Sequence, residues 1–299
     1  MRVFVTGATG FVGSVIVQEL IRTGHQVLGL ARSDMAAQSL IAAGARVQRG
    51  DLQDPDSLRR GVAAADGVIH TGFIHDFSKF KEVCEIDRTV IEVLGAALAG
   101  TDRPLVVTSG TALVAPGRLA TEADRPASGA HAMPRVASEE AATSVAARGV
   151  RVSVVRLSPS VHGDGDHGFV PTLINLAREK GVAAYVGEGR NRWSAVHRLD
   201  AAALYTLALE KSSAAARYHG VAEEGIAFRD VAQMIGQRLN VPVVSKSPEE
   251  ASEHFGWFAH FAALDCPASS QRTREELGWQ PTQVGLIADL ERSTRYFEH

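Results

Sequence analysis

The chain predicts an α/β fold, a doubly wound parallel sheet with a smaller mixed C-terminal lobe, on three observations. Short β-branched runs recur near residues 2–6, 26–31, 45–49, 66–70, 104–108 and 151–157, separated by alanine-rich stretches of helical character. Such alternation requires parallel strands joined by helices that cover both faces of a sheet. The first run ends in Gly7, Gly10 and Gly13, and apolar residues at helical spacing follow over 11–21. After about Leu157 the pattern loses its regularity, and Pro159, Pro171, Pro242, Pro248, Pro267 and Pro281 punctuate shorter elements, which marks a second lobe.

Thr6-Gly-Ala-Thr-Gly-Phe-Val-Gly13 joins the first strand to the first helix. Glycine there takes positive φ and lets bare backbone N–H groups approach a ligand, while the helix N-terminus adds about half a positive charge. Spaced in this way between a strand and a helix, the glycines read as a dinucleotide site, which makes the first lobe Rossmann-type. The second strand runs into Arg32-Ser33-Asp34. An arginine at that tip pairs with a ribose 2′-phosphate, whereas an acid accepts from a free 2′-hydroxyl. Arg32, with a hydrogen bond from Ser33, therefore reads for NADP(H); the other reading has Arg32 as a solvated loop charge and Asp34 on the ribose.

A long amphipathic helix over 76–99 belongs to the core. Residues 1–157 read as the cofactor domain, rejoined by about 194–219, with 158–193 and 220–299 as the substrate lobe. Asp200 has the position of a helix N-cap, and His197 lies in a short strand. Trp193 and Trp257, with Phe169, Phe255, Phe258 and Phe261, line either an apolar pocket or the packed core of the second lobe. Near residue 277 a helix stops at Gly278, with Pro281 shortly after.

At 299 residues the chain can bury a full core, and a net charge of −3 with dispersed lysines and arginines argues against nucleic acid as a main partner. No apolar run approaches the roughly 18 residues of a membrane span, and no apolar leader precedes the first strand. Cys84 and Cys266 are far apart and outside any Cys-x-x-Cys spacing, which indicates neither a disulfide framework nor a zinc knuckle. The expectation is a soluble, cytoplasmic protein, monomer or homodimer, acting on a small-molecule substrate.

The order of the first glycine motif, Gly50-Asp51-Leu52, Val68-Ile-His70-Thr-Gly72, Val107-Thr-Ser-Gly-Thr111, Arg156-Leu-Ser-Pro-Ser-Val-His-Gly163, Val196-His197-Arg-Leu-Asp200 and Leu277-Gly-Trp279-Gln-Pro281 resembles the extended short-chain dehydrogenase/reductase superfamily. That group includes nucleotide-sugar epimerases and dehydratases, 3β-hydroxysteroid dehydrogenases and dihydroflavonol reductases. The resemblance implies that Gly7, Thr9, Gly10, Phe11, Val12 and Gly13 hold the pyrophosphate. It further implies that Asp51 and Leu52 flank the adenine, that Thr71, Gly72 and Phe73 line the middle of the dinucleotide, and that the backbone around Pro159 and Val161 meets the nicotinamide. Asp51 has a second reading, as the cap of the helix that begins near Pro55.

In that superfamily a serine or threonine after the fifth strand hydrogen-bonds the substrate oxygen, and a Tyr-x-x-x-Lys pair on the next helix supplies the acid or base. Thr111 takes the first place, with Ser109 as the alternative. Arg135 stands where the tyrosine belongs and Glu139 where the lysine belongs. No register restores the pair, because the first tyrosine of the chain is Tyr185 and no lysine lies between Lys81 and Lys180. The resemblance is therefore to an atypical member.

Arg135 and Glu139, four apart on a predicted helix, can pair along one face. Turned inward, Glu139 accepts from the nicotinamide ribose; turned outward, it belongs to an ordinary surface pair. Arg135 stays protonated, so it exchanges no proton, but it can anchor an anionic group. The proton-donor candidates are His162, His131 and His75, His162 first because it follows the nicotinamide contact at the C-terminal end of a strand. His162, Asp164, Asp166 and His167 are near-consecutive, with no distant ligand cluster in the sequence to complete them, and no metal is expected. The function read from these features is an NADP(H)-dependent oxidoreductase that moves a hydride to or from a carbonyl, imine or activated alkene of a small, partly apolar substrate. A NAD-dependent sugar-nucleotide epimerase or dehydratase and a non-catalytic NADP(H)-sensing protein are the alternatives.

Overall fold

The structure, a computed structural model, describes every residue except Ser128, Ala130, His131, Thr294 and His299, together with the side chain of Phe77. Among the described residues the strands are β1 (Arg2–Thr6), β2 (Gln26–Ala31), β3 (Arg46–Arg49), β4 (Gly67–His70), β5 (Leu105–Gly110), β6 (Val152–Leu157), β7 (Ser160–His162), β8 (Ala183–Val186), β9 (Arg192–His197), β10 (Arg217–Gly220), β11 (Glu223–Ala227) and β12 (Val243–Lys246). The helices are α1 (Phe11–Arg22), α2 (Asp34–Ala42), α3 (Pro55–Ala63), α4 (Phe80–Leu98), α5 (Ala137–Ala147), α6 (Phe169–Lys180), α7 (Arg198–Lys211), α8 (Phe228–Leu239), α9 (Pro248–Phe255), α10 (Ala259–Ala263), α11 (Gln271–Leu277) and α12 (Leu286–Arg292).

Seven strands form one parallel sheet in the order β10-β6-β5-β4-β1-β2-β3. Strands β1 to β6 fall within two residues of the runs read from the sequence. Side chains alternate faces along each strand. Val3 and Val5 pack with Ile16 and Leu20 of α1 and Leu204, Tyr205 and Leu209 of α7, whereas Phe4 faces Leu58, Leu94 and Val145 on the other side. Both faces are thus covered, which is why these strands read as nearly continuous apolar runs. The seventh strand, β10, is the short mixed run Arg217-Tyr-His-Gly220, and it pairs parallel with β6.

The chain lays β2 and β3 on one side of β1 and then crosses back to place β4 on the other. A crevice therefore opens outside the C-terminal ends of β1 and β4, where open α/β sheets bind ligands. The smaller lobe contains β11-β9-β7 and a parallel pair, β12 with β8. Its core gathers Trp193, Phe228, Phe255, Phe258, Ile174 and Leu286. Most of the aromatic residues noted above are consequently core, while Trp257 is 56% exposed.

Two caps differ from expectation. His197, in extended conformation, caps α7 by accepting the Leu199 N–H at Nδ1, and Asp200 lies inside the first turn. The buried Asp200 carboxylate instead accepts the backbone N–H groups of Thr282 and Gln283, tying the C-terminal segment to α7. Likewise Asp54, not Asp51, caps α3. No helix among the described residues is long and apolar enough to cross a membrane.

Candidate active site

The turn between β1 and α1 is built by close approach. Gly7 has φ +68°, and a Cβ there would stand 2.6 Å from the Gly72 nitrogen; a Cβ on Gly13 would stand 1.9 Å from the Gly7 carbonyl oxygen. Gly10 caps α1 in extended conformation without a side-chain hydrogen bond. The N–H groups of the first turn thus face the crevice at the positive end of the helix, a cradle that fits a diphosphate. Thr71 and Gly72 bind back to this turn, Thr71 Oγ1 donating to the Thr6 carbonyl (2.8 Å) and Gly72 N–H to Thr6 Oγ1 (3.2 Å).

At the tip of β2 the Arg32 side chain is 83% exposed, with Nε 3.8 Å from Asp51 Oδ2. Ser33 caps α2 by accepting the Ala36 N–H, and Asp34 pairs with Arg49. Asp51 Oδ1 accepts the Gln53 N–H in a local turn. The fold thus brings Arg32 and Asp51 together and turns Asp34 to another partner.

Arg135 and Glu139 do not pair with one another. Arg135, in the turn that leads into α5, donates to Asp87 Oδ2 (2.6 Å), to Ser138 Oγ and to the Thr108 carbonyl (3.2 Å), and its guanidinium lies 4.3 Å over the Phe73 ring. Asp87 also accepts from Ser138 (2.6 Å) and lies 3.0 Å from Nε2 of His70, whose Nδ1 is 2.6 Å from Thr6 Oγ1. Burial alone would raise the Asp87 carboxyl, but the Arg135 charge and the His70 contact outweigh it and hold it below its ordinary value.

Glu139 turns inward, yet not toward an open site. It is bound bidentately by Arg156 (2.7 Å to each oxygen) and accepts the Ser109 hydroxyl (2.9 Å). Both members of the pair are buried, the Arg156 side chain completely. Burial pushes the Glu139 carboxyl up, and the Arg156 hydrogen bonds and charge more than reverse it, leaving a net fall. The expected surface pair is absent because each partner meets a stronger one on a different element: Asp87 on α4 and Arg156 on β6.

Thr111 begins a short 3₁₀ turn after β5 and is fully buried, its Oγ1 3.2 Å from Ser194 Oγ and 3.4 Å from the Leu157 carbonyl oxygen. His162 is also buried. Its Nδ1 lies 2.8 Å from Asp289 Oδ2, its ring meets that of His197 edge-on at 5.2 Å, and its Nε2 has no hydrogen-bond partner among the described residues. The fold therefore supplies distant neighbours that the sequence hides: potential ligand atoms of His162, His197 and Asp289 lie within 4.8 Å of one another. Both imidazoles already engage Nδ1, His162 with Asp289 and His197 with the Leu199 N–H. His75 stands edge-on to Phe73 at 5.3 Å; burial first, then the nearby His167 and Arg135 charges, lower its pKa. His131 lies outside the described residues.

Residues 163–168 fold over the start of α1. His167 meets Phe11 edge-on at 5.7 Å, and Arg198 lies 4.7 Å over the Phe11 ring, donating to Ser14 Oγ and to the Asp164 carbonyl. Tyr296 secures the same segment through the Gly163 backbone, 3.4 Å from Asp166 Oδ2.

His70, Asp87, Ser138, Arg156 and Arg198 are the site residues that sequence reading leaves without a role. Asp87 carries a legible signal: it stands on the apolar stripe of α4 between Cys84 and Val90, where an acid is costly unless paired. Arg156, within the buried run Val152–Leu157, carries the same kind of signal.

Comparison with known proteins agrees with this architecture. The NAD-dependent epimerase/dehydratase family profile matches residues 3–221. An uncharacterized protein of Schizosaccharomyces pombe is 52% identical over 298 residues, 99% of this chain and 100% of that protein. A 2-alkyl-3-oxoalkanoate reductase of Stenotrophomonas maltophilia is 28% identical over 265 residues, 83% of this chain and 78% of that protein. Among solved structures, a double mutant of the dTDP-glucose 4,6-dehydratase DesIV from Streptomyces venezuelae, with NAD bound, shares the fold with a TM-score of 0.77 at 21% identity, covering 99% of this chain and 97% of that one.

Proposed function

Since the chain belongs to the NAD-dependent epimerase/dehydratase family, we infer that it is an NADP(H)-dependent oxidoreductase of a small, partly apolar carbonyl, imine or activated alkene. The observation that carries this reading is the glycine cradle at the crevice between β1 and β4, with the exposed Arg32 guanidinium at the tip of β2. When bound, the nicotinamide supplies or accepts the hydride.

The chain's own residues bind and orient. The amides from Gly10 onward receive the diphosphate, and Arg32 with Ser33 receives the 2′-phosphate, for which Arg32 exchanges its long contact with Asp51. Ser109 donates its hydroxyl hydrogen bond to Glu139 and Thr108 donates to the His70 carbonyl, which leaves Thr111, just after β5, as the hydroxyl able to donate to a substrate oxygen. Its present bonds are long, and a developing negative charge on the substrate is a better acceptor. Arg135 cannot release a proton, so the proton comes from water or His162. An epimerase or dehydratase must first remove a proton from a hydroxyl, and a permanently protonated guanidinium at the tyrosine position does not serve that step.

Titration of NADPH and NADH, followed by NADPH consumption across ketones, enones and imines, tests the reading. Tighter NADPH binding and turnover of at least one class are expected. Cofactor binding without turnover of any class would leave a dinucleotide-sensing protein.

A further inference from the structure

We propose that Arg135 binds an anionic group of the substrate, so that the compound this site takes is an oxo acid with its carboxylate close to the carbonyl. The proposal rests on the oxidoreductase reading and names its substrate class.

Three features of Arg135 carry it. The first is place. The guanidinium lies on the ring of Phe73, and Phe73 follows Gly72, whose nitrogen abuts Gly7. Arg135 is thus at the crevice between β1 and β4, level with the Thr108 carbonyl near the C-terminal end of β5. The second is rigidity. Asp87 and Ser138 hold Nη1, and Asp87 is itself fixed by Ser138 and His70. A cation held in one orientation loses little freedom when a ligand arrives.

The third is the remaining donor edge. Nη1 is spent on Asp87 and Ser138, and Nη2 gives one hydrogen to the Thr108 carbonyl. Nε has no hydrogen-bond partner among the described residues. A guanidinium carries five N–H donors, and Nε–H lies on the same edge as one Nη2–H, the fork that matches the two oxygens of a carboxylate. The side chain is 16% exposed, against 3% for Asp87. A guanidinium needed only to neutralise Asp87 would gain nothing from an open edge, since His70 and Ser138 already contact that carboxylate.

The test uses matched pairs: 2-oxo-4-phenylbutanoate against 4-phenyl-2-butanone, and acetoacetate against methyl acetoacetate, with NADPH as reductant. The proteins are wild type, Arg135→Lys, Arg135→Gln, and the double variant Arg135→Gln with Asp87→Asn, which removes both charges and leaves no unpaired buried acid. The acids should exceed their neutral partners in kcat/KM by on the order of 10- to 100-fold. Arg135→Gln and the double variant should erase that advantage through KM, and Arg135→Lys should keep part of it. Equal kcat/KM within each pair, or a loss in Arg135→Gln shared equally by acid and neutral compounds, would overturn the proposal.

Binding of phenylacetate, which cannot be reduced, to the protein–NADPH complex separates this proposal from the reading beneath it. Binding that Arg135→Gln abolishes, with no turnover of any carbonyl, keeps the anion site and rejects the oxidoreductase. Turnover that ignores charge does the reverse. Phenylacetate binding undiminished in Arg135→Gln, or absent from wild type, counts against the anion site.

Discussion

Glu139 gives the sharpest test of the buried charges. As half of a surface pair with Arg135, its replacement by alanine would cost less than about 1 kcal/mol. In the structure Glu139 is the acid that neutralises the fully buried Arg156, with a second cation, Arg217, 3.5 Å away. Removing it leaves Arg156, among the described residues, with the Asp124 carbonyl and the His219 ring nitrogen, neither of them charged to match. Breaking a buried pair from one side costs on the order of 3–5 kcal/mol. Against a stability of roughly 5–15 kcal/mol, that is about a fifth or more of the total. At about 2 °C per kcal/mol for a chain of this size, the midpoint should fall by roughly 6–10 °C. Thermal and urea unfolding of wild type, Glu139→Ala and the double variant Glu139→Gln with Arg156→Met measure it, and the double variant should recover part of the loss, because the fully buried Arg156 charge is gone and only Arg217 is left without its acid. A single-variant cost below about 1 kcal/mol would refute the buried-pair account.

Three further outcomes are expected. Arg32→Asp should weaken NADPH binding by on the order of 1.5–3 kcal/mol while sparing NADH, and equal affinities of wild type for the two cofactors would remove the 2′-phosphate assignment. Thr111→Val, nearly unchanged in volume, should lower kcat by about tenfold or more with cofactor affinity intact; unchanged turnover would leave Thr111 a turn residue tied to Ser194. Burial pushes the Asp166 carboxyl up to about 6, so the folded protein holds that proton more tightly than the unfolded chain. The stability this confers is complete below about pH 4 and is lost as pH rises to about 6, by on the order of 3 kcal/mol at most. Asp166→Asn should flatten that part of the stability profile, and an identical slope in wild type and variant would exclude the assignment.

What the sequence discloses and what it hides divide along physical lines. Strands β1 to β6 are legible because a strand buried on both faces must be apolar throughout, and the glycine turn because a Cβ on Gly7 would stand only 2.6 Å from the Gly72 nitrogen. The partners of Arg135 and Glu139 are not legible, since Asp87 and Arg156 meet them only after α4, α5 and β6 have packed. Spacing of four offered a local pair, and tertiary packing supplied buried partners in its place. His197 and Asp200 show the same limit at smaller scale: both suit a helix start, and the extended backbone at His197 decides which one caps.

The packing of α1 against α7 has a consequence for synthesis. Ribosomes deliver α1 early, but Leu204, Tyr205 and Leu209, which cover its apolar face, follow only after most of the parallel strands. Until they emerge, Val15, Ile16 and Leu20 present a greasy flank on the nascent polypeptide, a hazard that favours transient shelter by chaperones. The dinucleotide cradle is thus translated well before the helix that completes it, and a stalled or truncated product ending before α7 would display that flank to the cell's quality-control machinery.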